Sequence, residues 1–225
     1  MSVLDTLITD RTQAHVDRLK QLMRIGWQNM TDDEKAEYIG GGADQLLDAN
    51  NQPLFDSQNE PIYSQDASGT QKGAYNYTDL NRVEEAVDYV ADELVQAPAD
   101  LLAYATSLGV AWDSSFELPY DENDYTSLTI KTDWTDEDIP DVTDMARYLG
   151  NLQLIQAALP TLTVAPSSMN ALDYAGANAI EQMLKEADTA LADAVEYRKQ
   201  LIKGTLALFY SGEIYSGELP MGGDN

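Results

Sequence analysis

Apolar positions in this chain recur at helical rather than strand spacing over most of its length. Leu80, Val83, Val87, Val90 and Leu94 follow steps of three and four, which puts five aliphatic side chains on one helix face. Thr78 or Asp79 fits as its N-cap; Pro98 predicts its end, with Ala99 to Leu108 as a shorter helix. A second long helix is expected from Val142 or Thr143, with Met145, Leu149, Leu152, Ile155 or Gln156, and Leu159 as its stripe and Pro160 closing it. A third is expected from about Tyr174 to Ile202. Its stripe is Ala177, Ile180, Leu184, Ala187, Leu191, Ala194 and Arg198, where the alanines allow close helix–helix approach. Gly204 is the expected stop.

Shorter elements surround these. A first helix begins near Asp10 or Thr12, places Val16, Leu19 and Met23 on one face, and stops at Gly26. Thr31-Asp-Asp-Glu34 is a capping box that opens a short helix to about Ile39, before Gly40-Gly41-Gly42. Two near copies, Asn51-Gln-Pro-Leu-Phe-Asp-Ser and Asn59-Glu-Pro-Ile-Tyr-Ser-Gln, read as a small hairpin within an insertion at about 43–72. Phe116, Leu118, Tyr120 and residues 127–132 have strand-like content. The tail repeats Tyr210-Ser-Gly-Glu-Ile and Tyr215-Ser-Gly-Glu-Leu, and reads as a strand-like docking segment. The expected fold is mostly α: a bundle of three long helices plus short ones in a domain at 1–203, the hairpin insertion, and a docking tail at 204–225.

Charge changes the picture most. Thirteen Lys and Arg face 39 Asp and Glu, a net charge of −26. Such a chain repels phosphate backbones and anionic lipid surfaces, so neither nucleic acid nor membrane is an expected partner. High-salt adaptation, bound cations and solubility in a crowded assembly all account for the acidity, and the last needs no further feature. No segment approaches a membrane span, and the start acquires Asp5 at once, unlike a secretory signal. The chain is therefore expected to stay in the cytosol or leave it by another route.

Few residues offer chemistry. Cysteine is absent and His15 is the one histidine, which excludes thiolate and multi-histidine metal sites within one chain. Gly40-Gly41-Gly42 lacks the Lys-Ser/Thr of a phosphate loop, and Tyr210-Ser211-Gly212 lacks an esterase elbow. His15, on a helix beside Asp17, reads as a surface or cap residue. Asp48-x-Asn50-x-Gln52 begins like a calcium loop, but Pro53 and Asn59 stand where Gly and Glu are needed. The acidic turns at 121–124 and 133–141 leave Asp121, Asp124, Asp136 and Asp138 as candidate ligands for calcium, the one cofactor worth weighing. The acids Glu84, Glu85, Asp88, Asp92 and Glu93 read as the solvated side of their helix. Trp112, Tyr120, Tyr125 and Trp134 either stack on sugar rings beside two carboxylates, as a glycan hydrolase needs, or fill seams between helices.

Further segments form a pattern together: Gly73-Ala-Tyr-Asn-Tyr-Thr-Asp-Leu-Asn-Arg82-Val-Glu-Glu-Ala-Val-Asp-Tyr89, Lys131-Thr-Asp-Trp-Thr-Asp-Glu-Asp-Ile-Pro140 with Met145-Ala-Arg-Tyr-Leu-Gly-Asn151, and the repeat at 210–218. Ile8 to Asp17 and Asn29 to Tyr38 belong with them. This pattern resembles a group of virion proteins of tailed phages and prophages of gut Firmicutes, associated with the tail module. It covers most of the chain; 43–70 and 98–127 stand out as insertions. The resemblance implies a structural or host-contact part of a particle assembled in the bacterial cytoplasm, oligomeric there and bound to other virion proteins, without catalytic residues. A receptor-binding module for surface carbohydrate is the alternative, and a carboxylate-based glycan hydrolase the second. The expected assembly contacts are Phe55, Tyr63, Phe209, Tyr210 and Tyr215.

Overall fold

The computed structural model describes residues 2–39, 72–73, 75–135, 137–159, 161–170 and 172–215. The chain is mostly helical, and no strand occurs among the described residues. After a 3-10 turn at Val3–Thr6 come α1 (Gln13–Ile25), α2 (Asp32–Ile39), α3 (Tyr77–Ser107), α4 (Val142–Ala158) and α5 (Tyr174–Tyr215). α3 packs against both α4 and α5, and α4 also meets α5. The stretch at 109–135 forms 3-10 turns and extended loop rather than strands, with turns at Ser114–Phe116 and Glu122–Asp124. Of the insertion expected at about 43–72, residues 43–71, with Phe55 and Tyr63, lie outside the described residues.

Local chemistry explains most helix ends. Gly26 closes α1 at φ 77°, where a side chain would be strained. Thr31 and Glu34 form the expected reciprocal cap of α2, with the Thr31 N–H donating to Glu34 at 2.8 Å. For α3 the cap is Asn76, two or three residues before the expected one, and its side chain accepts from the Thr78 N–H at 2.8 Å. Asp141 and Asp144 cap α4 in the same reciprocal way.

Two expected breaks do not occur. Pro98 stands inside α3, which continues to Ser107. Proline has no N–H for the carbonyl four residues before it, and an orphaned buried acceptor is costly. That carbonyl belongs to Leu94, and the Tyr120 hydroxyl donates to it at 3.1 Å. Gly204 likewise fails to end α5, so the backbone from 204 to 215 is helix and not a strand-like tail. An interior glycine costs about 1 kcal/mol; here fully buried Ile202 and the partly buried Leu201 and Leu206 hold that turn against the core.

The three aliphatic stripes meet in one core. Leu80, Val83, Val87, Val90 and Leu94 of α3 are buried with Leu149, Leu152 and Ile155 of α4 and Ile180, Leu184, Ala187 and Leu191 of α5. Met183 and Tyr148 join them. α1 and α2 form a smaller unit, pinned by a two-pronged Arg18–Glu37 ion pair at 2.7 Å and by the edge of Trp27 against Tyr38.

Candidate functional site

The core contains charges that the apolar pattern does not announce. Arg11, Asp79, Arg82 and Glu181 meet between the N-terminal segment, α3 and α5, all buried. One Arg11 amino group donates to Asp79 at 2.7 Å and to Glu181 at 2.6 Å. Arg82 donates to Glu181 at 2.9 Å and also to Asp79. Two cations thus balance two carboxylates, the condition under which buried charge is tolerated. Burial pushes the Asp79 carboxyl above the usual carboxylate range despite both arginines. For Arg82, the bonds and attraction to Glu181 and Asp79 outweigh the burial that opposes its charge, so its proton is held more tightly than usual.

Beside this tetrad the Tyr75 and Tyr148 hydroxyls share a hydrogen bond. Burial raises both phenols well above their ordinary range, so they stay protonated at neutral pH. Glu84 departs from its expected place on the solvated face. It is buried and takes two bonds from Arg147 of α4, at 2.9 and 2.5 Å. Glu85, one residue on, is exposed as expected.

These charges belong to a device that occurs twice. On α5, Asn178 accepts from the Arg11 N–H and donates to the Arg11 carbonyl, both at 2.9 Å, while Glu181 accepts from the Ile8 N–H. On α3, Asn81 makes the same two bonds to Trp134, both at 2.8 Å, while Glu84 accepts from the Lys131 N–H at 3.3 Å. In each case an Asn and a Glu three residues apart, on one helix face, grip two peptide groups three residues apart. The gripped segments, Ile8-Thr-Asp-Arg-Thr12 and Lys131-Thr-Asp-Trp-Thr135, share a Thr-Asp-x-Thr pattern. Each ends in a similar turn: the Thr12 N–H donates to His15 Nδ1 at 2.9 Å, and the Thr135 N–H to Asp138 at 2.7 Å. The helices match too, Asn76-Tyr-x-x-x-Asn81-x-Val-Glu84 against Asp173-Tyr-x-x-x-Asn178-x-Ile-Glu181. The early segment is gripped by the late helix, and the late segment by the early one. Lys185 adds a bond to the Leu7 carbonyl at 3.0 Å.

This network does structural work. Its charges are paired, and it ties the segments at 8–12 and 131–135 to the long helices of the core. His15 is buried in its capping role, so of the two places expected for it the cap holds and the surface does not.

The expected site residues are dispersed. Asp121 caps the turn at Glu122–Asp124 and accepts from the Asn123 N–H at 3.0 Å, which holds its carboxyl below the usual range. Asp138 is likewise lowered by the Thr135 N–H. Asp136 lies outside the described residues. No group of three or more His, Asp or Glu placed to hold a metal ion exists among the described residues. Phe209, Tyr210 and Tyr215 have their backbone in the last turns of α5. Among the aromatics, Trp134 and Tyr125 are buried in the core. Trp112 and Tyr120 line one open cleft of about 740 Å³ together with Val95, Pro98 and Leu102 of α3 and with Glu117, Asp121 and Glu122. No described helix is long and apolar enough to cross a membrane. Comparison with protein-family models, curated proteins and solved structures finds no match to this chain.

Proposed function

We propose that this chain is a structural component of a tailed-phage particle, in the tail, baseplate or fibre region, and that it works through protein–protein contacts without turnover. The three long helices act as one bundle that presents those contacts. The 43–72 insertion serves as a hairpin arm, and Phe55, Tyr63, Phe209, Tyr210 and Tyr215 mate with neighbouring subunits. The resemblance of the segments at 73–89, 131–151 and 210–218 supports this reading.

The observation that carries it is the aliphatic surface flanking α4. Ile139 and Val142 at its start and Leu162 and Val164 after its end are exposed, Ile139 by 91% and Leu162 by 96%. Each pair lies in a segment fixed by hydrogen bonds: the Asp141–Asp144 cap at the start of α4, and the Leu162 and Thr163 N–H groups bonded to Glu186 after its end. Ordered loops that show paired aliphatic side chains to water suit an interface. Serine at all four positions is expected to leave the melting temperature within about 2 °C of the parent, since exposed side chains contribute little to stability. The same variant should be depleted from particles several-fold when competed against the parent chain. Undiminished incorporation would remove these loops from the contact surface.

Carbohydrate recognition is the second reading, favoured by Trp112 and Tyr120 lining one cleft.

A further inference from the structure

The cleft beside Pro98 has a one-sided chemistry. Aromatic and aliphatic side chains line it together with Glu117, Asp121 and Glu122, and no described Lys or Arg lines it. Arg198, whose Nε donates to the Glu117 carbonyl at 3.0 Å, is not among the lining residues. Of the described lining side chains only Trp112 and Tyr120 carry donors, and the Tyr120 hydroxyl is already committed to the Leu94 carbonyl. The remaining polar side chains are carboxylates, which only accept when ionised. A saccharide hydroxyl both donates and accepts, and would find few donors here. A guanidinium or ammonium group only donates, and it also gains from the faces of Trp112 and Tyr120.

We propose that this cleft docks a segment of another protein that presents Arg or Lys next to an apolar side chain. Trp112, 37% exposed, and Leu102 receive the apolar part, and the three carboxylates take the cation. The residues outside the described ones include no Lys or Arg side chain to fill the cleft. The proposal takes from the assembly reading only the source of the segment, a neighbouring particle protein.

The test is calorimetric titration of the full chain at 0.15 M salt with an acetylated, amidated nonapeptide that carries two arginines and two leucines. A tetrasaccharide of N-acetylglucosamine is titrated in parallel. One variant combines Glu117→Gln, Asp121→Asn and Glu122→Gln. A control removes the same charge elsewhere, with Glu85→Gln, Asp92→Asn and Glu93→Gln, all exposed on α3. The cleft variant should weaken peptide binding at least about tenfold and the control less than about twofold. Trp112→Ala should also cost about tenfold, with an unchanged circular dichroism spectrum. Equal losses in the two triple variants would overturn the proposal in favour of diffuse attraction to an acidic chain. Tighter binding of the tetrasaccharide would overturn it in favour of a glycan site. Self-association that disappears only in the cleft variant would assign the cleft to a second copy and overturn it as well. Particle content is read separately. A chain present in particles but indifferent to the cleft changes sinks this proposal alone, and peptide binding by a chain absent from particles sinks the assembly reading alone.

Discussion

Glu181→Ala should be among the most destabilising single substitutions in this protein, costing about 3–5 kcal/mol. The carboxylate is fully buried and receives bonds from Arg11, Arg82 and the Ile8 N–H. Its removal leaves two buried guanidinium groups facing the single carboxylate of Asp79. For a chain of this size the drop in melting temperature should be on the order of 10 °C. A second readout locates the damage. The Arg11 N–H is held by Asn178 next to the lost grip, so its hydrogen exchange should accelerate before that of the α3 core does. Glu85→Ala, on the same kind of residue at the surface, should shift stability by less than about 0.5 kcal/mol. Equal effects of the two substitutions would mean that the ion-pair tetrad does not hold the terminal segment.

Leu184→Ala should cost about 2–5 kcal/mol through lost burial and an incompletely collapsed cavity. Leu184 of α5 is fully buried in the core that α3, α4 and α5 share, where close packing leaves little room to relax. Leu162→Ala is the matched control, because the same atoms are removed from a side chain that is almost wholly in water. Denaturant titration of both variants checks the contrast. A small effect at Leu184 would place the core elsewhere.

The aliphatic stripes made the long helices legible because burial and helical period leave the same mark on a sequence. Breaks were less legible, since each is decided by a distant partner. Nothing around Pro98 reveals that Tyr120, 22 residues on, would satisfy the orphaned Leu94 carbonyl. The buried acids show the same limit. Glu84 lies four residues after Leu80, about 40° from it around the helix, whereas Glu85 lies about 140° away. That angle marks Glu84 as a border position, but only the approach of Arg147 from α4 makes its burial tolerable. The paired Asn-x-x-Glu and Thr-Asp-x-Thr patterns were present in the sequence. Their meaning was hidden because each helix grips the segment from the other half of the chain, so no local window contains both partners. Phe55 and Tyr63, in the insertion, lie outside the described residues, so the expected arm rests on its sequence alone.

On the function proposed above, the chain acts by occupying a place in a phage particle. Quantitative mass spectrometry of purified, nuclease-treated particles tests this most directly, with the chain's peptides referenced to those of the major capsid protein. A fixed copy number, unchanged on repeated gradient purification, is the expected result. Abundant chain in the infected-cell lysate with none in the purified particles would contradict it.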